Sequence, residues 1–205
     1  MGGILFGTDK NIILSSVDLV LARRIKTKKR TLNFLECGCA SGHTSLSVMN
    51  RIGKGNFEFN YYGIDTTELT RQNPVINNKK FKFIKGFTFQ VSDQIPKDLD
   101  WIFIDACHCA MCVQHDAEIY APFLSSIGVL VFHDASPRFQ GQHPQTYESL
   151  KPYHNHEEAK KGIQVVKALS KINFKKMGLL LWEKALNQEF GGVQVYVKSK
   201  FKSYI

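Results

Sequence analysis

Long hydrophobic runs are missing from the 205 residues of this sequence. No segment approaches the roughly 18 consecutive apolar residues that a transmembrane helix needs. The opening MGGILFGTDKNIILSS also lacks the basic start and uninterrupted apolar core of a secretory signal. We therefore expect a cytoplasmic protein that does not contact a membrane. The length favours a single domain over 1–205, with a hydrophobic content of 43% that is ordinary for a globular chain.

Cysteine is scarce, and its count is odd. The five cysteines stand at positions 37, 39, 107, 109 and 112. An odd number of cysteines in a chain without an export signal argues against a disulfide framework. We therefore interpret all five as reduced thiols.

Acidic residues are fewer than basic ones, 18 against 27, and the formal net charge is +9. An excess of this kind is typical of proteins with an anionic partner such as nucleic acid. The densest basic run, ARRIKTKKR at 22–30, equally suits the solvated end of a helix in an N-terminal helical segment, 1–30. We favour the solvated surface.

Short apolar runs alternate with helical stretches along most of the chain. The runs are LNFLE (32–36), YYGID (61–65), FKFIKG (81–86), WIFID (101–105) and GVLVFHD (128–134). Helices are predicted at 15–26, after Gly42, at 110–126 and at 157–172. This alternation is typical of an α/β fold with a parallel sheet.

The last part of the chain has a different pattern. Two β-rich runs, NFKKMGLLLWE and GGVQVYVKSK, are separated by too few residues for a crossover helix, so they must pair antiparallel. The sequence thus predicts a single Rossmann-like domain whose seven-stranded sheet has an antiparallel last strand. Residues 135–156, which follow strand five, are predicted to be a substrate lid loop.

A glycine-rich turn, ECGCASG at 36–42, follows the first strand. Glycines allow a tight turn and close approach of the backbone to a ligand, and the next helix offers free amides. The turn is not the nicotinamide fingerprint G-x-G-x-x-G, since Ala40 and His43 occupy its later glycine positions. Asp65, at the end of the second strand, is placed to accept hydrogen bonds from both hydroxyls of a ribose.

These features resemble the class I S-adenosylmethionine-dependent methyltransferases over nearly the whole chain. ECGCASG is similar to their first motif, Asp65 to their ribose-binding acid, and the terminal hairpin to their antiparallel seventh strand. Phe87 stands where many relatives have an acidic residue, and we expect its ring to stack on adenine. The resemblance implies S-adenosylmethionine as cofactor, bound by Glu36, Gly38, Cys39, Ser41, Gly42, Asp65, Thr66, Phe87 and Asp105.

The stretch from DWIFIDACHCAMC to GVLVFHD resembles a branch of that family with macrocin-type and catechol-type O-methyltransferases. In that branch, an Asp after strand four and residues after strand five bind a divalent cation, usually Mg²⁺. The resemblance implies Asp105 and Asp134 as metal ligands and His108 as general base. Ala135 stands where catechol-type relatives place Asn. The alternatives are that His133 is the third ligand, that the cation is bound more weakly, or that no cation is bound.

A zinc site is the competing interpretation of this stretch. Cys107, His108, Cys109 and Cys112 offer four soft ligands, the kind that zinc prefers. Structural zinc sites usually present two separated pairs of ligands, however, and here all four share one short turn. We therefore interpret the cysteines as bystanders of a catalytic turn.

The sequence indicates an O-methyltransferase that acts on a hydroxylated small molecule such as a sugar, a glycosylated natural product or a phenol. A nucleic-acid methyltransferase is the alternative that the charge of +9 supports. Against it, IDAC stands where amino-methylating DNA enzymes have Asp/Asn-Pro-Pro-aromatic, and the Pro-Cys nucleophile of cytosine-C5 enzymes is missing. A non-catalytic relative that binds cofactor is the third interpretation.

Overall fold

Helices and strands alternate along the chain, in a computed structural model that describes residues 7–27, 31–55, 57–69, 74–142, 157, 160–186 and 191–199. The strands are β1 (Thr31–Cys37), β2 (Glu58–Asp65), β3 (Phe81–Lys85), β4 (Leu99–Ile104), β5 (Leu124–Phe132), β6 (Leu179–Ala185) and β7 (Val193–Lys198). The helices are α1 (Gly7–Ile25), α2 (His43–Gly53), α3 (Ala110–Tyr120) and α4 (Val165–Leu169).

The seven strands form one sheet in the order β3-β2-β1-β4-β5-β7-β6. The pairs from β3 through to β5 are parallel, and β7 runs antiparallel to both β5 and β6. The predicted α/β fold, with seven strands and an antiparallel last strand, is confirmed.

Both faces of the sheet are buried, which explains why the central strands are continuous apolar runs. In β4, Trp101 and Phe103 belong to the core on one face, while Ile102 and Ile104 belong to the core on the other. Helices α1 and α2 cover the first face, and α3 and α4 cover the second. Each large side chain buried in this way contributes about 1.5–3 kcal/mol relative to exposure.

Two helix predictions were wrong in extent. The N-terminal helix begins at Gly7, well before residue 15, because Ile12 and Ile13 already pack into the core. The helix predicted at 157–172 is interrupted in the structure, where Glu157 and Lys160 are helical and α4 spans Val165–Leu169. Gly162 has a φ of 77°, and Gln164 donates its backbone amide to the carbonyl of His108, so residues 161–164 are not helical.

The boundary between α3 and β5 was also misplaced. The predicted helix at 110–126 ends at Tyr120, and residues 121–123 form a 3₁₀ turn that contains Pro122. Strand β5 begins at Leu124 rather than at Gly128. Proline fixes its own φ and lacks an amide proton, so it suits such a turn after a helix.

The order of the strands places a crevice at the carboxyl ends of β1 and β4. The chain leaves β1 toward β2 and β3 and then returns to β4 on the other side of β1. In open α/β sheets, ligands bind at this kind of reversal, beyond the carboxyl ends of the strands. Within the described ranges, no helix is both long enough and apolar enough to cross a membrane.

Candidate active site

The glycine-rich turn after β1 packs directly against the turn after β4. Gly38 has a φ of 87°, a left-handed conformation that favours glycine. A Cβ at this position would overlap the carbonyl oxygen of Asp105 and would lie 2.6 Å from Cα of Ala106. Gly42, with a φ of 72°, caps the start of α2. The predicted cofactor turn and the predicted catalytic turn are therefore in contact through backbone atoms.

Asp65 is fixed beside the glycine-rich turn. Its Oδ2 accepts a hydrogen bond from the amide of Ala40 at 2.8 Å, and its Oδ1 accepts one from the amide of Thr67 at 2.8 Å. Each carboxylate oxygen has a second lone pair, so both can still accept ribose hydroxyls. Thr66 is exposed next to it. The ribose contact itself stays a prediction.

Glu36 lies beneath the turn. It is almost completely buried, and its Oε2 accepts hydrogen bonds from Ser45 Oγ and, at 2.7 Å, from Tyr61 Oη. Burial raises the pKa of Glu36 to about 7, although both hydrogen bonds act in the opposite direction. Glu36 therefore links β1 to α2 and β2 next to the turn. Its predicted cofactor contact stays a prediction.

The other predicted cofactor residues lie around the same turn or at the end of β3. Cys39 is buried, and Ser41 is exposed. The ring of Phe87 is half-buried and stacks on Phe89, with centroids 5.6 Å apart and an interplanar angle of 7°. An aromatic face near the end of β3 suits the predicted adenine contact, which stays a prediction.

The predicted catalytic and metal-binding side chains form one cluster at the ends of β4 and β5. His108 Nε2 lies 3.1 Å from Asp105 Oδ1 and 3.0 Å from Asp134 Oδ2. His133 Nδ1 lies 3.2 Å from Asp105 Oδ1 and 3.2 Å from Asp134 Oδ1. Two carboxylates thus face two imidazoles, and all four side chains are largely buried.

Hydrogen bonds to backbone carbonyls hold this cluster in place. The amide of Asp105 donates to the carbonyl of Cys37, and the amide of Gln164 donates to the carbonyl of His108. Gln140 Nε2 donates to the carbonyl of Asp134 at 3.1 Å. Asp134 has a φ of 52°, a left-handed conformation that Asp tolerates better than most residues.

The mutual contacts shift the pKa values in this cluster strongly. Burial opposes the charged form of His108, but hydrogen bonds and charge from Asp105 and Asp134 outweigh it and raise the pKa of His108 to about 9. Burial likewise opposes protonation of His133, yet the charge of Asp105 and hydrogen bonds to Asp105 and Asp9 raise its pKa well above the usual value. Burial disfavours ionised Asp105, but both histidines hold its pKa below the usual range.

Asp9 is a member of the site that the sequence analysis missed. It is completely buried, His133 Nε2 lies 3.3 Å from its Oδ2, and the amide of Gly192 donates to that same oxygen at 2.9 Å. A Cβ on Gly191 would overlap this carboxylate. The available signals were an acidic residue in the first turn of α1 and the Gly-Gly pair before β7. Neither indicates that α1 reaches the end of β5.

We expect the free energy of unfolding, measured in chelator, to fall as pH rises through about 9. The pKa of His108 is raised above its unfolded value of about 6.5, so its stabilisation is complete below that pH and is lost as the folded form titrates. The expected loss is of the order of 3 kcal/mol. Urea unfolding at neutral and alkaline pH checks this, and His108→Gln should flatten the dependence. The same pH dependence in both proteins would contradict it.

Side chains in this cluster suit a divalent cation. Donor atoms of Asp105, His108 and Asp134 all lie within 4.8 Å of one another. Carboxylate oxygens are the ligands that Mg²⁺ and similar hard cations prefer. Exchange of two imidazolium protons for one dication would also leave the net charge of the cluster unchanged. The oxygen-rich donor set therefore fits the cation.

Part of the basic run at 22–30 serves packing. Arg23 is buried and donates to the carbonyl of Ile127 at 3.3 Å. The guanidinium of Arg24 lies 4.9 Å from the centroid of the Phe57 ring. Residues 28–30 lie outside the described residues. Neither arginine is arranged as part of an open basic surface.

Comparisons with known proteins support the fold. Residues 35–135 match the family model described as a methyltransferase domain. The chain is similar to an O-methyltransferase from Bacillus cereus solved with S-adenosylhomocysteine, at 15% identity and a TM-score of 0.57, covering 90% of this chain and 80% of that one. A protein from Corynebacterium glutamicum gives 15% identity, 91% and 81% coverage and a TM-score of 0.57.

A TehB-like S-adenosylmethionine-dependent methyltransferase, also from Corynebacterium glutamicum, is 13% identical, with 89% and 86% of the two chains covered and a TM-score of 0.53. At such identities, these likenesses show the fold. A comparison with curated protein sequences gives no match.

Proposed function

We propose that the protein is a class I S-adenosylmethionine-dependent methyltransferase that methylates a hydroxyl group of a small molecule. The match of residues 35–135 to the model of a methyltransferase domain supports this proposal. The observation that carries the proposal is the position of His108 between Asp105 and Asp134, beside the glycine-rich turn. A base and two carboxylates at this edge of the sheet suit the removal of a proton from an acceptor hydroxyl.

The chain's own residues have distinct tasks in this proposal. S-adenosylmethionine supplies a methyl group that is already activated as a sulfonium, so positioning provides much of the remaining effect. Asp65 and Thr66 hold the ribose, and the turn at 38–42 leaves room for the methionine end. Asp105 lies against Gly38 and so borders both the cofactor region and the catalytic cluster.

Asp105 and Asp134, with His133 as third ligand, would hold a divalent cation, which when bound would lower the pKa of an acceptor hydroxyl. With a pKa of about 9, His108 is mostly protonated at neutral pH as long as it contacts both carboxylates. His108 would accept the proton in its neutral form, which a cation held by these carboxylates would favour. His133 remains held by Asp9.

The arrangement of the site supports a hydroxylated small molecule as the acceptor. Phenols and sugars offer the hydroxyls that such a base can deprotonate. Nucleic acid is the weaker candidate, because Arg23 and Arg24 are committed to packing. Residues 143–156 of the predicted lid lie outside the described residues, and their role as a substrate lid stays a proposal.

We expect a chelator to remove most methyl transfer and Mg²⁺ to restore it. Transfer of labelled methyl groups is measured with a panel of phenols and sugars, and with transfer RNA for contrast. Asp134→Asn, which keeps the size of the side chain, should not respond to Mg²⁺. Asp93→Asn, on an exposed residue away from the cluster, should respond as the original chain does. Transfer that is indifferent to chelation in all three proteins would contradict the role of the cation.

A further inference from the structure

A second group of metal-binding side chains lies in the turn between β4 and α3, built on sulfur instead of oxygen. The Sγ atoms of Cys107, Cys109 and Cys112 all lie within 4.8 Å of one another. None of the three cysteines forms a disulfide bond, and Cys109 is buried while the other two are half-buried. A cation could therefore reach the group from solvent and be held against the protein interior.

His108 is not part of this sulfur group. In the sequence it stands between the cysteines, but its Nε2 contacts Asp105 and Asp134. The turn therefore carries two separate donor sets, three sulfurs and an oxygen-rich cluster, which share no ligand. The four-ligand set that the sequence pattern suggests is replaced by three thiols.

The backbone favours negative charge on one of the sulfurs. Cys109 is the residue that caps the start of α3, and its Sγ accepts a hydrogen bond from the amide of Cys112 at 3.4 Å. A hydrogen bond to the charged form of a group stabilises that form, and the start of a helix adds a favourable dipole. Thiolate, rather than thiol, is the form that binds a metal.

Asp116 is a buried acid beside the sulfur group. It lies one turn after Cys112 on α3 and is almost completely buried. Its Oδ1 accepts a hydrogen bond from Thr88 Oγ1, whereas its Oδ2 has no hydrogen-bond partner among the described residues. Burial raises the pKa of Asp116 to about 7, and negative charge on Cys109 acts in the same direction. A dication with three thiolates already carries a net negative charge, so the sulfur group needs no further carboxylate.

The chemistry of the donors selects the kind of cation. Thiolates prefer soft or borderline cations such as Zn²⁺, whereas Mg²⁺ prefers oxygen. Zinc–sulfur bonds of about 2.3 Å in tetrahedral geometry place neighbouring sulfurs roughly 3.8 Å apart. The observed separations, all within 4.8 Å, reach that arrangement with small side-chain rotations.

We propose that Cys107, Cys109 and Cys112 bind one zinc-class cation as thiolates. The bound cation would fix the start of α3 and, with it, the turn that carries His108. The sulfur site thus stabilises the catalytic turn without touching substrate. The binding part of this proposal does not depend on methyl transfer.

Zinc titration of the full-length, reduced and metal-free protein against a chromophoric chelator tests the proposal. We expect one equivalent of tightly bound Zn²⁺, release of thiol protons on binding, and thiolate-to-metal absorption when Co²⁺ is used instead. Each of three variants removes one metal ligand: Cys107→Ser, Cys109→Ser and Cys112→Ser. Loss of a residue that only hydrogen-bonds to a ligand weakens metal binding by about 10–100-fold, so each variant should weaken zinc binding by more than that.

Cys37→Ala is the matched control, because Cys37 is a buried thiol on β1 outside the sulfur group, and it should keep the full equivalent. Alkylation of the unmodified protein, read by mass spectrometry, avoids dependence on variants that fail to fold. Zn²⁺ should protect Cys107, Cys109 and Cys112 from iodoacetamide. Three outcomes would overturn the proposal: no tight zinc, zinc lost only with Asp105→Asn or Asp134→Asn, or a disulfide among these cysteines with no zinc bound by the reduced form.

Discussion

Replacement of His108 by glutamine is expected to lower the turnover number by about 10²–10⁴-fold, the usual effect of losing a general base. Glutamine can still donate a hydrogen bond to Asp105 or Asp134, but it cannot carry a proton at neutral pH. Binding of S-adenosylmethionine should change little, because His108 contacts the carboxylate cluster. Initial rates of S-adenosylhomocysteine formation and calorimetry of cofactor binding check the two parts separately.

His115→Gln is the matched control for this variant. His115 lies further along α3, is exposed, and stacks on Phe89, so it should not affect proton transfer. His108→Ala should lose stability as well, but His133 would remain as the partner of both Asp105 and Asp134. The loss should therefore stay below the about 3–5 kcal/mol that an uncompensated buried charge costs. A folded His108→Gln protein with the turnover number of the original chain would contradict the assignment of the base.

Gly38→Ala should disrupt the contact between the glycine-rich turn and the turn after β4. Its positive φ costs about 1–3 kcal/mol for a residue with a side chain, and the added Cβ would overlap the carbonyl of Asp105. For a chain of this size, each kcal/mol lowers the melting temperature by about 2–4 °C. Thermal unfolding and cofactor calorimetry measure both effects.

Gly53→Ala provides the control for Gly38. Gly53 ends α2, and a Cβ there meets no atom within 4 Å. Alanine favours a helix more than glycine does, so stability should stay the same or rise slightly. A Gly38→Ala protein with the melting temperature and cofactor affinity of the original chain would show that the close approach is unimportant.

The sheet was predictable because burial on both faces leaves a direct trace in sequence. In β4 and β5, core residues occupy successive positions, so the strands read as short apolar runs. The hairpin followed from the short connection between its two runs. The helix before β6 was overestimated, because Gly162 and the tie between Gln164 and His108 depend on tertiary contacts.

The candidate site was predictable where strand ends determine it. Asp65, Asp105 and Asp134 each lie at or just after the end of a strand at one edge of the sheet, so their convergence follows from topology. Asp9 was not predictable, because no local pattern places the start of α1 beside His133. The raised pKa values of His108 and His133 were not predictable either, because they depend on the positions of the surrounding carboxylates.

The central claim is a class I cofactor site at the glycine-rich turn. Calorimetric titration with S-adenosylhomocysteine tests it most directly. We predict one bound equivalent, and at least a tenfold loss of affinity in Asp65→Ala, since each lost hydrogen bond to a charged group costs about 1.5–3 kcal/mol. Glu68→Gln, on a neighbouring exposed acid, should bind as the original chain does. Absence of binding by the folded protein, or undiminished affinity in a folded Asp65→Ala protein, would contradict the account.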